Sequence, residues 1–166
     1  EAKKYQHLAK KMTDAVNAEG WDGAWYLRAY TDGEEPVGSK ACKEAKIYLE
    51  PQAWGVMSGV ADETRGKKCM DSVNKHLATK HGVLILDPPY SEFDYRIGSI
   101  GVYTPGLKEN GAIFCHPNPW AMIAECILGR GDLAYQYYKA IQPAARGAIA
   151  DTHKTEPYVY CQMIAG

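Results

Sequence analysis

The sequence predicts a mainly α-helical protein in which pairs of helices are joined by long loops. Two observations carry this prediction. Apolar residues recur three and four positions apart in the N-terminal segment and again before residue 82, and an apolar run after Pro119 is followed at once by a tight Gly-Arg-Gly-Asp turn. Candidate strands are short and bounded by turn residues. These features favour an α/α arrangement over a sheet protein.

The first predicted helix covers residues 1 to about 17 and ends before Gly20. It is highly charged and carries apolar residues on one face only, so it needs a partner surface. Residues 25–30 then alternate with a strand-like period of two, and we expect residues 46–50 to return as the second arm of a loose hairpin. The apolar face of the helix consists of Tyr5, Leu8, Met12 and Val16.

Two further helices are predicted in the middle of the chain. Pro51 opens a short apolar helix, since proline is tolerated in a first turn. Asp62 is the expected N-cap of the second helix, which ends before Gly82. The apolar stripe of this second helix consists of Cys69, Met70, Val73 and Leu77.

Residues 83–114 are predicted to be mostly loop, because Gly, Pro, Asp and Asn residues break each candidate element within a few positions. Loops of this length are uncommon in compact domains unless they perform a function. Aromatic and charged residues occur together in this loop, where we therefore expect the substrate surface. They are Tyr90, Tyr95, Arg96, Tyr103, Lys108 and Glu109.

The stretch from Trp120 to Leu128 is apolar on nearly every side, which predicts a helix buried in a larger body. Asp132 is the expected cap of the next helix. The chain begins with a one-sided helix and ends with the apolar run 158–165. We therefore expect residues 1–166 to be an internal piece of a larger domain, cut at both ends.

Composition narrows the class of partner. Nineteen Lys and Arg residues against 20 Asp and Glu residues give a net charge of −1. The chain therefore has no excess of positive charge with which to bind nucleic acid or an anionic membrane. No apolar run approaches the roughly 20 residues of a membrane span. Twelve Tyr and 4 Trp residues suit a sugar, although Tyr-rich cores are also common. Five scattered cysteines predict reduced thiols in a cytoplasmic protein.

Lys108, Glu109 and His116 stand within nine positions of one another, among turn-forming residues. A lysine and a glutamate can donate to and accept from sugar hydroxyls, and a histidine can bind an oxyanion such as phosphate. The alternative is a solvated turn at Lys108 and Glu109, with His116 capping the helix that follows.

Three other carboxylates have weaker claims to a function. Asp22 beside Trp21 is either catalytic or part of a turn, and the pattern favours the turn. Glu50 and Glu156 each precede a proline. Each carboxylate could equally well accept hydrogen bonds from backbone N–H groups or bind a ligand. No Gly-rich phosphate loop, Ser-His-Asp order or His-x-x-x-His spacing occurs, and we expect no metal and no cofactor.

Five motifs, taken in order, resemble the cellobiose and chitobiose phosphorylases, which are inverting β-glycoside phosphorylases. The resemblance is colinear over residues 1–166 and implies that the chain is part of a catalytic domain built as a six-hairpin α/α toroid. The motifs are Trp21-Asp-Gly-Ala-Trp-Tyr-Leu-Arg-Ala-Tyr30, Leu49-Glu-Pro-Gln-Ala-Trp54, Gly106-Leu-Lys-Glu-Asn-Gly-Ala-Ile-Phe-Cys-His-Pro-Asn-Pro-Trp120, Leu128-Gly-Arg-Gly-Asp132 and Thr155-Glu-Pro-Tyr-Val-Tyr-Cys-Gln162.

The resemblance implies a glycosyltransferase-type enzyme that cleaves a β-linked disaccharide, in the first instance cellobiose, with inorganic phosphate as co-substrate. A carboxylic acid protonates the glycosidic oxygen while phosphate attacks the anomeric carbon from the opposite face, giving a free sugar and an α-sugar 1-phosphate. It also implies a cytoplasmic homodimer. By position, His116 resembles the phosphate-binding histidine, and the residues that resemble the acceptor-sugar ligands are Tyr103, Lys108, Glu109 and Gln162.

The chain departs from the family pattern in two respects. The general acid of the family stands in an Asp-Trp-Asn-Asp-Gly string, which these 166 residues do not contain and which family spacing places before Glu1. The family's Thr-Gly phosphate contact is expected after Gly166. We therefore expect no catalytic acid in this chain and no activity from the chain alone.

Several alternatives stay open at this point. Chitobiose and glucosyl-gluconate are alternatives to cellobiose as substrate. A non-catalytic carbohydrate-binding module is a second possible function. A hydrolase of a related toroid fold, with Glu109 or Asp22 as base, is a third.

Overall fold

The computed structural model describes residues 1–165, apart from the side chains at positions 152 and 153, and within them shows seven α-helices and four short antiparallel strand pairs. The mainly helical prediction is confirmed, whereas the complete toroid stays a prediction. The helices are α1 (Ala2–Glu19), α2 (Leu49–Met57), α3 (Glu63–His76), α4 (Asn118–Ile127), α5 (Gly131–Ile141), α6 (Pro143–Arg146) and α7 (Ala150–His153). The strands are β1 (Ala29–Tyr30), β2 (Pro36–Val37), β3 (Ile47–Tyr48), β4 (Ala78–Thr79), β5 (Gly82–Val83), β6 (Leu86–Asp87), β7 (Ile113–Phe114) and β8 (Met163–Ile164).

The helical core lies where α2, α3, α4 and α5 pack on one another. Its centre holds the buried side-chain amide of Gln52. The Gln52 Oε1 accepts from the Tyr26 backbone N–H at 2.7 Å, and Gln52 Nε2 donates to the carbonyls of Tyr26 and Tyr48, each at 2.9 Å. A buried amide without these partners would be costly, and here each of its groups is paired. The predicted stripe of α3 is fully buried in this core, as Cys69, Met70, Val73 and Leu77.

The predicted hairpin between residues 25–30 and 46–50 is wrong. The chain reverses much sooner, at a turn in which the Thr31 N–H donates to the Glu35 carbonyl at 2.9 Å, so β1 pairs with β2. Strand β3 is then free to pair with β6, with Ile47 opposite Asp87. Because β3 leads directly into α2, this distant pairing fixes the start of α2 against the long loop.

Several helix boundaries differ from the predictions. Helix α2 begins two residues before Pro51, and α3 ends at His76 because the chain turns there into the β4–β5 hairpin instead of continuing to Gly82. The Asp62 cap is confirmed, since its carboxylate accepts from the Arg65 N–H at 2.8 Å. The Asp132 cap is wrong: Arg130 occupies the N-cap of α5, with no side-chain cap bond.

Helix α4 is less buried than its composition predicts. Ala121 and Ala124 face the core, whereas Ile123 and Ile127 on the other side are 45% and 57% exposed. The predicted apolar face of α1 is exposed as well, and the C-terminal end of that helix is joined to the rest of the protein through Asn17. Arg65 Nη1 donates to Asn17 Oδ1 at 2.6 Å.

The loop from 83 to 114 is more ordered than predicted, with β6, a 3₁₀ turn at Ser99–Val102 and β7 along it. One backbone hydrogen bond ties it to α2, from the Leu49 N–H to the Ile85 carbonyl, and a second one within the loop runs from the Ile85 N–H to the Ala112 carbonyl, both at 2.9 Å. This ladder brings the first turn of α2 beside the turn that holds Lys108 and Glu109. Within residues 1–165, no helix has the length and apolarity needed to cross a membrane.

Candidate functional site

The turn at residues 107–110 carries two of the predicted site residues. Leu107 and Asn110 bridge across it, and the Gly106 N–H donates to the Asn110 carbonyl at 2.8 Å. Asn110 is fully buried and its Nδ2 donates to the Tyr103 carbonyl at 2.7 Å. Lys108 has a φ of 48°, in the left-handed region. The buried Asn110 therefore anchors a turn whose tip, Lys108 and Glu109, faces solvent.

Lys108 is fixed at both its backbone and its side chain. Its ammonium Nζ lies 5.2 Å from the centre of the Tyr103 ring, a cation–π contact, while its backbone N–H donates to the Met163 sulfur at 3.1 Å. A lysine held over an aromatic ring presents a cation beside an apolar face. Sugar hydroxyls and sugar C–H faces need that combination.

His116 and Gln162 are brought together by the β7–β8 pair. Phe114 lies opposite Met163, and one position further on the Cys115 N–H donates to the Gln162 carbonyl at 3.0 Å. Both His116 and Gln162 are exposed and line one open cavity of about 540 Å³. The remainder of its wall is mostly apolar and aromatic, formed by Cys115, Pro119, Met122, Tyr138, Ile141, Tyr160 and Cys161.

The imidazole of His116 does not cap α4, so that part of the alternative is wrong: Pro117 occupies the N-cap without a side-chain cap bond. The imidazole instead meets the edge of Trp120, with ring centres 5.0 Å apart, and Trp120 meets Trp54 at 5.6 Å. This aromatic row orients the histidine while its ring stays open to solvent.

Glu50 is a further polar group at this site. It is half-buried in the first turn of α2, and among the described residues its Oε2 is shielded from solvent and has no hydrogen-bond partner. Burial raises the pKa of the Glu50 carboxyl, the Arg28 guanidinium opposes that rise, and the Glu109 carboxylate adds to it. The backbone hydrogen bonds from Leu49 to Ile85 and from Ile85 to Ala112 bring the first turn of α2, and with it Glu50, towards the turn of Lys108 and Glu109.

The other two carboxylates lie apart from this arrangement. Asp22 Oδ2 accepts from the Lys40 N–H at 2.7 Å and from Ser39 Oγ at 3.0 Å, so its carboxylate stabilises a turn, as the sequence favoured. Glu156 is exposed and lines a separate cavity of about 240 Å³ beside Pro143 and Tyr158.

The predicted site residues thus form two neighbouring groups. Tyr103 and Lys108 are in contact, with Glu109 next in the chain, while His116 and Gln162 share a cavity. Met163 connects the two groups, because it follows Gln162 and accepts the Lys108 N–H. Together the groups present a cation, a carboxylate, an amide and an imidazole around aromatic rings, a set suited to a polyhydroxylated ligand and an anion.

Comparison with known proteins identifies the family to which the chain belongs. Residues 1–166 match the catalytic domain of the glycosyl hydrolase 94 superfamily. The chain is 41% identical over 165 residues to a solabiose phosphorylase of Paenibacillus borealis, covering 99% of this chain and 22% of that protein. It is 39% identical to an N,N'-diacetylchitobiose phosphorylase of Vibrio furnissii, covering 98% and 21% respectively.

A third relative is the 3-O-beta-D-glucopyranosyl-beta-D-glucuronide phosphorylase of Paenibacillus borealis, 36% identical over 135 residues, which are 81% of this chain and 17% of that protein. The chain spans about a fifth of the length of these relatives. The match over all 166 residues, with the motif resemblance, establishes that the chain belongs to the glycosyl hydrolase 94 superfamily, within its catalytic domain.

Proposed function

We propose that the protein to which this chain belongs cleaves a β-linked disaccharide with inorganic phosphate, with inversion, to an α-sugar 1-phosphate and a free sugar. The observation that carries this proposal is the adjacency of the two groups: the Lys108 turn and the cavity of His116 and Gln162 meet at Met163. Phosphorolysis requires an acceptor-sugar site and an oxyanion site side by side, because phosphate attacks the bond that the acceptor leaves.

Each residue has a role that its surroundings support. Lys108 Nζ donates to acceptor hydroxyls while the Tyr103 ring stacks on the sugar, and the exposed Glu109 carboxylate accepts from hydroxyls. His116 binds phosphate through a hydrogen bond that its ring donates. Gln162 binds the acceptor sugar from the wall that it shares with His116, at the boundary of the two ligands.

We place no general acid among these residues. Glu109 is occupied with acceptor hydroxyls, and Asp22 is engaged by Ser39 and Lys40. Without protonation of the glycosidic oxygen, the leaving group departs as an alkoxide, and general acid catalysis is worth about 10²–10⁴ in rate. The 166 residues alone are therefore proposed to bind sugar and phosphate without turnover, and no metal or organic cofactor is required.

Cellobiose is the proposed substrate, with diacetylchitobiose, solabiose and glucosyl-glucuronide as competitors suggested by the relatives. The protein is further proposed to be a cytoplasmic homodimer. Size-exclusion chromatography with light scattering on the full-length protein tests the dimer, and a monomer would contradict it.

The test of function uses the full-length protein and the 166-residue chain side by side. Each is incubated with each disaccharide, with and without phosphate, and products are followed by phosphorus NMR. We expect the full-length protein to release an α-sugar 1-phosphate only when phosphate is present, most rapidly from cellobiose. Release of free sugars without phosphate would instead indicate a hydrolase.

Calorimetric titration of the 166-residue chain completes the test. We expect binding of cellobiose and of phosphate without product. Binding by the full-length protein without product on any disaccharide would contradict phosphorolysis and indicate a carbohydrate-binding module.

A further inference from the structure

Two thiols face each other beside the proposed site. Cys115 directly follows β7, Cys161 lies two residues before β8, and their Sγ atoms are 3.6 Å apart. The hydrogen bond from the Cys115 N–H to the Gln162 carbonyl holds their backbones side by side at this point. All five cysteines are free thiols. These two are brought together from positions 46 residues apart in the sequence.

We propose that Cys115 and Cys161 are a redox modification site: a peroxide converts them to a disulfide that joins the ends of β7 and β8 beside His116 and Gln162. Disulfide formation brings the sulfur atoms from 3.6 Å to about 2.0 Å. Side-chain rotation accounts for a movement of this size, because the backbones are already paired.

The two cysteines differ in access, which sets the order of the chemistry. Both line the open cavity of about 540 Å³, so a small peroxide reaches them from solvent. Cys161 is half-buried, whereas Cys115 is buried. Burial and the neighbouring Cys161 thiol raise the pKa of Cys115 to about 12, so Cys115 does not react first with peroxide, and its later attack on the oxidised Cys161 is the slow step. Cys161 therefore meets the oxidant first, and Cys115 resolves the product.

The reaction balances with hydrogen peroxide as the oxidant. The Cys161 sulfur attacks one peroxide oxygen, the O–O bond breaks, and Cys161 becomes a sulfenic acid as one water leaves. The Cys115 sulfur then loses its proton and attacks the sulfenic sulfur. The S–S bond forms, the S–O bond breaks, and the hydroxyl leaves as a second water. The two thiols together lose two electrons and two protons, and the peroxide gains them.

The consequence for the site is mechanical. In the reduced protein, Gln162 is held near His116 by main-chain hydrogen bonds between two short strands. In the oxidised protein, a covalent bond between the flanking residues holds the same strands together and closes the 46-residue segment into a loop. Because a cross-link restricts the unfolded chain, we expect the oxidised form to melt at a higher temperature than the reduced form.

The test is peptide mapping of the purified chain after treatment with hydrogen peroxide. The protein is unfolded in urea so that iodoacetamide alkylates every remaining thiol, buried ones included, and it is then digested without reductant for mass spectrometry of the peptides. We expect a cross-linked pair that contains Cys115 and Cys161 and is lighter by two hydrogens than the two free peptides together. The number of alkylated thiols should fall from five to three, and dithiothreitol should restore all five.

Variants sharpen the assignment. Cys161→Ser should abolish the cross-link, whereas Cys126→Ser, which removes an exposed thiol elsewhere, should leave it intact. Sulfinic acid at Cys161 without a cross-link, dimers linked through Cys126, or an unchanged pair would each overturn the proposal. Mapping of the unaltered chain involves no substitution, so a variant that fails to fold does not compromise the test. The mapping also needs no catalysis, so its failure would leave the proposed phosphorolysis unaffected.

Discussion

The side chain of Asn110 pairs with the backbone of Tyr90 as one peptide group pairs with another. Its Oδ1 accepts from the Tyr90 N–H at 2.7 Å, and its Nδ2 donates to the Tyr90 carbonyl at 2.8 Å. A residue at the base of the acceptor turn therefore also closes the long loop twenty positions earlier. The loop and the turn form one hydrogen-bonded unit because of this amide.

Replacing Asn110 with alanine should destabilise the protein by about 2–4 kcal/mol, since the substitution leaves buried backbone groups of Tyr90 and Tyr103 without partners. Urea denaturation measures the loss. Gln136→Ala, which removes an exposed amide side chain on α5, is the matched control and should change stability by at most about 0.5 kcal/mol. Equal effects of the two substitutions would show that the amide does not anchor the loop.

Gly82 should not tolerate alanine. Its φ is 134°, and an added Cβ would lie 2.6 Å from Ile113 Cγ2 and 2.8 Å from Ile141 Cγ2. We expect Gly82→Ala to cost about 2–4 kcal/mol, from backbone strain and overpacking together. Gly59 also has a positive φ, 74°, but open space around it. Gly59→Ala should therefore cost only about 1 kcal/mol by the same denaturation measurement.

Lys108→Met should weaken cellobiose binding about tenfold or more, because it removes a charged donor from the acceptor site. Calorimetric titration of the chain measures the change. The matched control is Lys139→Met, because Lys139 makes a similar cation–π contact with Tyr135 at 5.6 Å, away from the site. Similar losses in the two variants would argue against a sugar-binding role for Lys108.

Glu50 should make stability depend on pH. Its carboxyl has a raised pKa in the folded protein, chiefly through burial, so its contribution to stability is fully present below the ordinary value of 4.5. That contribution is lost as the pH rises through the raised value. Glu50→Gln cannot ionise, so its stability relative to the unaltered protein should rise between pH 4.5 and pH 8 in urea denaturation.

Glu63 supplies a control of opposite sign. A hydrogen bond from Lys67 lowers the pKa of this exposed carboxyl, so its contribution appears above the ordinary value and is lost as the pH falls. Glu63→Gln should therefore lose stability relative to the unaltered protein as the pH rises. If the difference in unfolding free energy between Glu50→Gln and the unaltered protein stays constant with pH, the carboxyl of Glu50 is not buried as described.

Features with a local cause were predictable from the sequence. The Asp62 cap depends on a contact three residues away, and the stripe of Cys69, Met70 and Val73 depends on helical spacing alone. The N-cap of α5 was predicted two residues too late, because Arg130 and Asp132 flank a glycine that does not mark which of them is the cap. Such an ambiguity is resolved by packing.

Features that depend on distant pairing were not predictable. Strand β3 pairs with β6 through two residues on each side, Ile47 and Tyr48 against Leu86 and Asp87, and no local pattern distinguishes this choice from a simple hairpin. The candidate site divides in the same way. Lys108, Glu109 and His116 lie close in sequence and could be grouped directly. The shared cavity of His116 and Gln162 arises from the β7–β8 pairing, which no local sequence pattern reveals.

The β7–β8 pair also bears on how this region can change in length. Hydrogen bonds between the strands set the position of Gln162 next to His116, and the helices between them, α4 to α7, leave and return at the same place. We therefore expect residues inserted at the far end of that excursion, in the 129–131 connection, to leave both residues in place as long as Arg130 keeps its ion pair with the buried Glu125. Relatives that differ in length in this segment can retain the same pair of site residues, so variation in length here carries little information about ligand specificity.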